Sequence, residues 1–508
     1  MKPSLQALAA WLLGACVCAS HAQTSSPFPP PSEDMGKYVK NSGGGLDTGC
    51  TYRGGGPLIV QFKVPAPVND TMLDGNGYIL QDKLGKLIAD KVVGARAKIS
   101  FPVYDIDDKA VTDGTYEPEI DRLSWNGDFI KTLSGFNNTW VNDSFEIDIA
   151  KVKFAGREKA VDAVNEFRVD IDTANSDEVW CMSIDWVGIE FDAAFPYVLA
   201  HGIASNRDTW LDKDSPGVLK TLDEAGVVYE RFSTANPNGA VGTNAANLRG
   251  QIQAYLSPYK AKKVNLIAHS KGGLDSQALA AAAPPFEVLS LGTLSTPHWG
   301  SVVADLTLLQ RQVADIYTRQ GGASNDFAQQ FVSSTVAGLF SNTGAGGPQP
   351  PGLNDLTSWA AIDARNAGLR GNVNNTFTFG ADAGPQCSGP PTDAQIDPMN
   401  PASSVPLLGG YVYNRLRMAY QSICTYASAT QVQLEMIQTF DPNRPFITVL
   451  TYAVTAAPGP NPNDVVVGIT SANPGWGTPL GNNANTNHTT VKNADNVRKI
   501  LDKTISLR

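Results

Sequence analysis

One short segment limits the folds open to this 508-residue chain more than any other. The apolar run 264–267 reaches a turn of small residues at Ala268, and a helix-forming sequence starts at Lys271. A strand that passes into a helix without an intervening loop is typical of a strand–helix unit in a buried parallel sheet. The segment therefore predicts a sheet of this kind, with its neighbours elsewhere in the chain.

The turn itself has the sequence Ala-His-Ser-Lys-Gly-Gly over 268–273. Small residues two places before and after Ser270 allow a turn so sharp that the hydroxyl projects into a cleft above the sheet. The backbone N–H of Lys271 then lies at a helix start, where it can stabilise a negatively charged oxygen. The pattern indicates a nucleophilic serine; the alternative is an ordinary serine cap of the helix.

Strand and helix patterns alternate along the second part of the chain. We predict strands at 197–200, 227–232, 264–267, 288–291 and 376–379, and a helix over 271–283. This alternation predicts a mostly parallel sheet with helices on both faces. The first part differs, because short runs with alternating polarity are separated by turn sequences such as Asn126-Gly127. Those runs predict an all-β sandwich of the jelly-roll kind, with strands at 58–64, 97–104, 144–150, 166–172 and 180–191.

These differences in sequence pattern predict the limits of the domains. Residues 1–22 have a basic residue, an apolar stretch and a small-residue cleavage site, and therefore predict a signal peptide. Residues 23–44 are expected to be a disordered leader. The β-sandwich, a candidate binding module, is expected over 45–192, and the catalytic domain over 193–508. Helical lid or cap insertions are expected at about 301–352 and 385–455.

The predicted export determines which oxidation state is expected for the cysteines. Cys50, Cys181, Cys387 and Cys424 remain after the signal peptide, and an even number in an exported protein favours disulfides. Pairing Cys50 with Cys181, and Cys387 with Cys424, keeps each bridge within one domain. The protein is expected to be secreted or periplasmic; the less favoured alternative is a lipoprotein anchored through Cys16.

Charge and hydropathy exclude two classes of partner. The formal net charge is −10 and no run is rich in Lys or Arg, which argues against a nucleic-acid partner. Beyond residue 22 no apolar run reaches about 18 residues, so no transmembrane span is expected.

The remaining chemistry of a nucleophilic serine can be assigned partly by elimination. His201-Gly202 follows the first strand of the second part, and the loop there would supply a second oxyanion donor, the N–H of Ile203. A Ser–acid–His order leaves His488 as the base, because His298 leaves almost no room for an acid after Ser270. For the acid we favour Asp464, which enters an apolar, strand-like run; Asp382 is the competitor.

These motifs, taken in order, resemble the secreted bacterial lipases and esterases of the α/β-hydrolase superfamily, over about residues 196–507. Thr-Pro-His-Trp-Gly-Ser at 296–301 contributes to the likeness. The elbow with Ala268 is similar to that of some small Gram-positive lipases, whereas the order of the later motifs is similar to Gram-negative true lipases. The latter carry a calcium-binding Asp two residues after the catalytic His. Thr490 stands there in this chain, so a calcium site has no support.

The resemblance implies a carboxylic-ester hydrolase with a Ser270–His488–Asp464 triad and an oxyanion hole formed by Ile203 and Lys271. No cofactor is required, and the partner is a hydrophobic ester, either lipid or polyester. The alternatives are a polyester depolymerase with the same triad, or a noncatalytic surface-binding protein on a hydrolase scaffold. The run 121–127 resembles jelly-roll modules that often bind sugars or calcium, so a surface or carbohydrate ligand is expected for the β-domain.

Two apolar stripes lie in the segment expected to cover the active-site mouth. Their helical spacing fits either a mobile lid over Ser270 or helices packed permanently on the core. The stripes comprise Val313, Ile316 and Tyr317, then Phe327, Phe331, Val336, Leu339 and Phe340.

Overall fold

The computed structural model describes ten stretches of the chain. They are residues 26–41, 51–107, 118–157, 163–174, 181–305, 307–308, 350–400, 403–438, 448–458 and 460–508. The predicted signal peptide, Cys16, Cys50 and most of the predicted lid over 301–352 lie outside these residues. The lid therefore stays a prediction.

The first part of the chain is built almost entirely of strands. Antiparallel pairing gives two sheets, one with the order β1-β12-β5-β11-β2 and β8 paired to β5, the other with the order β3-β10-β6-β7. A two-residue parallel pair joins β4 to β9, and the α-helix α1 (Gln81–Ala89) lies between β4 and β5. The strands are β1 (Lys37–Asn41), β2 (Thr51–Tyr52), β3 (Leu58–Phe62), β4 (Val64–Pro65), β5 (Arg96–Tyr104), β6 (Arg122–Trp125), β7 (Asp128–Thr132), β8 (Trp140–Asp148), β9 (Phe154–Ala155), β10 (Asn165–Asp170), β11 (Cys181–Ile184) and β12 (Trp186–Glu190).

Aromatic side chains join the inner faces of these two sheets. Phe101 of β5 and Phe167 of β10 meet edge to face, with ring centroids 4.8 Å apart. Trp125 of β6 packs against Phe145 of β8 at 6.3 Å. Buried rings of this size account for much of the apolar area that such a domain removes from water. The antiparallel β-region predicted for the first part of the chain is confirmed.

The predicted disordered leader is wrong for residues 26–41. Strand β1 pairs antiparallel with β12, with Tyr38 opposite Ile189. Upstream of β1, the Trp186 indole donates to the Phe28 carbonyl oxygen at 2.8 Å, and the Asp34 carboxylate accepts the Lys262 backbone N–H at 2.9 Å. Pairing with β1 covers the edge of β12, which would otherwise leave backbone groups without partners.

The second part contains the parallel sheet. Its six strands have the order β14-β13-β15-β16-β17-β20, and every neighbouring pair is parallel. The strands of the parallel sheet are β13 (Tyr197–Ala200), β14 (Tyr229–Phe232), β15 (Lys263–His269), β16 (Glu287–Leu294), β17 (Thr376–Asp382) and β20 (Thr478–Ala484); β18 (Tyr426–Gln438) and β19 (Thr448–Pro458) lie outside it. The helices are α2 (Val218–Ala225), α3 (Val241–Leu256), α4 (Lys271–Ala281), α5 (Pro351–Asp355), α6 (Ser358–Asn366), α7 (Asp393–Ile396), α8 (Pro406–Thr425), α9 (Ile469–Ala472) and α10 (Ala494–Thr504).

Helices cover both faces of this sheet. Gly292 of β16 lies against Ile500 of α10. The next residue, Thr293, hydrogen-bonds His298, which in turn bonds Gln277 of α4. Because neighbouring strand residues point to opposite faces, α10 and α4 lie on opposite sides. The predicted mostly parallel sheet with helices on both faces, preceded by an all-β region, is confirmed.

The second predicted insertion is only partly helical. Helices α7 and α8 lie within 385–455, but β18 and β19 then form an antiparallel hairpin. Polar and apolar residues alternate over 431–436, a period-two pattern that favours a strand and was available in the sequence. Within the described stretches, no helix combines the length and apolar character that a membrane span requires.

A disulfide closes the loop that precedes the hairpin. Cys387 and Cys424 are bonded, with their Cα atoms 5.5 Å apart, as predicted. Cys181 is also disulfide-bonded, and its partner lies outside the described residues. Pairing of Cys181 with Cys50 therefore stays a prediction.

Replacing both Cys387 and Cys424 by serine should lower the free energy of unfolding by about 3–4 kcal/mol, because the bridge restricts a long loop in the unfolded chain. The loop spans 37 residues. Urea titration followed by tryptophan fluorescence measures the change, with circular dichroism as the check on folding. Equal urea midpoints for the variant and the native chain would contradict the expectation.

Candidate active site

Ser270 lies in a strained turn between β15 and α4. Its backbone has φ 55° and ψ −131°, in a region that residues other than glycine rarely adopt and that costs about 1–3 kcal/mol. Two backbone hydrogen bonds hold the turn: Ser270 N–H donates to Leu294 at 3.0 Å, and Gly273 N–H donates to Ser270 at 3.1 Å. The structure thus contains the strand–turn–helix that the sequence predicts.

Glycines at two positions allow the neighbouring loop to approach this turn. A Cβ on Gly272 would lie 2.4 Å from the His201 carbonyl oxygen, and one on Gly202 would lie 2.8 Å from the Ser270 Cβ. Real Cβ atoms do not come so close to other heavy atoms. The His201-Gly202 loop therefore packs directly against Ser270, as the order of motifs predicts.

His488 joins Ser270 to Asp464. Its Nε2 lies 2.9 Å from Ser270 Oγ, and its Nδ1 lies 2.8 Å from Asp464 Oδ2. The carboxylate accepts only, so Nδ1 carries a proton and Nε2 is left to accept from the hydroxyl. An imidazole held in this way can take the serine proton and return it to a leaving group.

Asp464 is completely buried and its carboxylate is fully bonded. Oδ1 accepts the backbone N–H groups of Val466 at 2.9 Å and Val467 at 2.7 Å, while Oδ2 faces His488. The run 465–467 is thus a tight turn, not the strand-like element expected from its sequence. Because these N–H groups donate to the Asp464 carboxylate, they are not available for pairing with a neighbouring strand.

Asp382, the competing acid, has other partners. It ends β17, where Oδ1 accepts from the Tyr420 hydroxyl at 2.9 Å and Oδ2 accepts from Gln386 N–H at 3.1 Å. Among the described residues none of its bonds reaches His488. In the structure Asp464 contacts the His488 imidazole. Asp382 instead bonds groups at the start of the disulfide loop.

The two predicted oxyanion donors, Lys271 and Ile203, belong to the segments that meet at Ser270. Lys271 begins α4, and Ile203 follows Gly202 in the loop packed on Ser270. In the described part of the chain no acceptor is found for either N–H. Ala204, the next residue, donates to the Asn238 side chain at 3.2 Å, which fixes this loop. Unused donors beside a nucleophile can stabilise an oxyanion.

The side chain of Lys271 points away from this cleft into the protein. It is fully buried, and its Nζ lies 2.8 Å from Asp275 Oδ1, one helical turn further along α4. Desolvation raises the pKa of Asp275 to about 7, against the opposing attraction of Lys271. The i, i+4 spacing of a lysine and an aspartate in the sequence was the only signal of this pair.

The other histidines near the site are buried and have structural partners. His201 accepts the Thr234 N–H at its Nε2, 3.0 Å away, and burial lowers its pKa. His298 bonds Gln277 and Thr293, and burial lowers its pKa to about 3. Both are neutral near pH 7, in keeping with the assignment of the base to His488.

The loop of His488 is held by protein groups. Thr490 accepts the Asn487 N–H through its hydroxyl oxygen at 3.0 Å. Within the described ranges no group of three or more His, Cys, Asp or Glu side chains is placed to hold a metal ion.

Comparison with known proteins finds similarity to lipases over part of the chain. A triacylglycerol lipase of Pseudarthrobacter phenanthrenivorans is 38% identical over 122 residues, which cover 22% of this chain and 35% of the relative. A triacylglycerol lipase of Burkholderia plantarii is 38% identical over 122 residues, covering 22% of this chain and 32% of the relative. The chain thus spans about a third of the length of these curated relatives. No family model matches it.

Solved structures give weaker likenesses. The mature form of the Bacillus licheniformis lipase BlEst2 has a TM-score of 0.36 at 17% identity, covering 60% of this chain and 88% of that structure. The metagenomic carboxyl esterase MGS0156 has a TM-score of 0.34 at 14% identity, covering 61% of this chain and 75% of that structure. At these TM-scores, neither structure is used to infer a property of this protein.

Gly272→Ala should destabilise the protein by about 1–3 kcal/mol, because the new methyl group meets backbone oxygens that cannot move away. Gly250→Ala is the matched control: it lies inside α3 with nothing within 4 Å of a new Cβ. That variant should gain up to about 1 kcal/mol from helix propensity. Thermal unfolding of both variants measures the difference, and equal melting temperatures would mean that the turn tolerates a side chain.

Proposed function

We propose that this protein is a serine carboxylic-ester hydrolase of the lipase and esterase type. The observation that carries the proposal is the hydrogen-bonded line from Ser270 through His488 to Asp464. The three side chains come from separate loops. The pairing of the sheet strands does not by itself bring these side chains together. A hydroxyl, an imidazole and a buried carboxylate in this order form a catalytic triad.

The geometry supports the following mechanism. His488 Nε2 accepts the proton of Ser270 as its oxygen attacks the ester carbonyl carbon. Asp464 holds the imidazole in the required tautomer and stabilises the imidazolium that forms. The N–H groups of Ile203 and Lys271 donate to the oxyanion of the tetrahedral intermediate. His488 then protonates the departing alcohol, and water releases the acyl group from Ser270 with His488 again as base.

The substrate class rests on the relatives. Those with 38% identity are named triacylglycerol lipases, so a carboxylic ester with a hydrophobic acyl chain is the proposed substrate. The residues bonded in the triad need no metal or organic cofactor for acyl transfer. Polyester remains an alternative substrate, because the same triad can attack any accessible ester.

Export is part of the proposal. Residues 1–22 have the composition of a signal peptide. Cys387, Cys424 and Cys181 are all disulfide-bonded, which suits an oxidising compartment. We therefore place the mature protein outside the cytoplasm, either secreted or periplasmic.

Ser270→Ala should lower kcat for p-nitrophenyl butyrate by at least about 10⁴-fold, and His488→Ala by a similar factor, because triad members act as a unit. Circular dichroism should match the native protein in both cases. Ester hydrolysis by folded Ser270→Ala at more than a tenth of the native rate would refute the proposal, as would a native chain without esterase activity.

Asp464→Asn should lower kcat by about 10⁴-fold, since an amide can present the imidazole with an N–H and favour the wrong tautomer. Asp382→Asn is the matched control, an equally small change at a carboxylate with other partners. We expect it to cost less than about tenfold. Steady-state kinetics on one soluble ester compares them, and the reverse order would transfer the acid role to Asp382.

A further inference from the structure

The residue before the nucleophile makes a bond that the triad does not include. His269, the last residue of β15, places its Nε2 2.7 Å from the backbone carbonyl oxygen of His488. The carbonyl oxygen can only accept, so the His269 Nε2 carries a proton and donates it. The two residues are 219 positions apart in sequence, so the bond joins the strand before the nucleophile to the loop of the base.

A second bond holds the other side of the same residue. The His488 backbone N–H donates to the Asp464 carbonyl oxygen at 3.0 Å. The His269 ring also packs on the His488 ring, with centroids 4.8 Å apart. The Asp464 carbonyl oxygen and the His269 side chain thus hold the His488 backbone from two sides. Within the part of the chain that the structure describes, the hydrogen bonds of the His488 ring go to Asp464 and Ser270.

We infer that His269 is a positioning residue, which sets the distance between His488 Nε2 and Ser270 Oγ by anchoring the His488 carbonyl to the end of β15. This inference rests on the proposed function. His488 lies in a loop after β20, and loops move more than the strands that they follow. A displacement of about 1 Å at a reacting group can cost 100-fold in rate.

The surroundings of His269 keep it suited to this task. Burial lowers its pKa well below 6.5, and the positive charges of Lys492 and of protonated His488 act in the same direction. A neutral ring can donate through Nε2 without adding a second positive charge beside the imidazolium that forms on His488. The ring therefore contributes a hydrogen bond and a packing surface.

Two amide substitutions separate anchoring from packing. In His269→Gln the side-chain nitrogen reaches about the place of the histidine Nε2, whereas in His269→Asn the same amide is one methylene shorter and cannot reach the His488 carbonyl. We expect His269→Asn to lower kcat for p-nitrophenyl butyrate by 10- to 100-fold, with KM changed by less than about threefold. His269→Gln should recover activity to within about fivefold of the native value.

A spectroscopic measurement reports the geometry directly. The proton between His488 Nδ1 and Asp464 should give a far-downfield resonance in the proton NMR spectrum. We expect that resonance to persist in His269→Gln and to shift upfield or broaden in His269→Asn. His298→Gln is the control for loss of a buried histidine, because His298 bonds Gln277 and Thr293 and no triad member. It should keep both the resonance and kcat, whatever its melting temperature.

The outcomes distinguish this inference from the proposed function. Full activity in folded Ser270→Ala would contradict the proposed function, and His269 would then have no catalytic serine to position. With Ser270→Ala inactive, equal kcat values for the glutamine and asparagine variants would overturn the inference, since packing alone would then explain His269. If His269→Asn does not fold, His269→Met replaces it in the same comparison, because methionine fills the space but donates no hydrogen bond.

Discussion

The strained turn at Ser270 is the constraint on which the site depends. A backbone in the left-handed region persists only when its surroundings leave it no alternative. Here a bond to Leu294 on the neighbouring strand fixes one side of the turn, and the His201-Gly202 loop packs against the other. That close packing needs glycine at 202 and 272, because a Cβ at either position would lie within 3 Å of a heavy atom across the contact.

Burial controls the charges around this turn. His201, His269 and His298 each have a pKa lowered by burial, so they contribute hydrogen bonds without positive charge near neutral pH. The ammonium of Lys271 is held by Asp275 inside α4. A buried pair of this kind is costly to break and adds little net stability. Its consequence is that the side chain of Lys271, the residue after Ser270, is fixed in the interior of the protein.

The loop that carries Asp464 returns to the end of the strand that carries Asp382. Asp382 ends β17, and the chain then runs through α7, α8 and the β18–β19 hairpin. It returns where the Ala383 N–H donates to the Asn463 carbonyl oxygen at 2.8 Å, so Asp464 re-enters beside the strand end that the chain had left. Asn463 also donates to the Tyr420 carbonyl oxygen at 3.1 Å, which ties this return point to α8. Two aspartates distant in sequence thus share one corner of the fold.

Local sequence determined the elements whose signal is short-range. Polarity of period two predicts the strands of the β-region, and small residues around Ser270 predict its turn, because sterics act over a few residues. The order of motifs, with only five histidines in the chain, also singled out His488. Tertiary structure alone shows which carboxylate reaches the imidazole: Asp464, which the sequence already favoured, bonds His488, whereas Asp382 bonds Tyr420 and Gln386. It also ordered residues 26–41, whose Ser- and Pro-rich start gives no sign of the strand edge they cover, and it joined His269 to His488. Contacts of this kind depend on where segments that are distant in sequence meet in the folded chain. No local pattern of residues encodes such a meeting point.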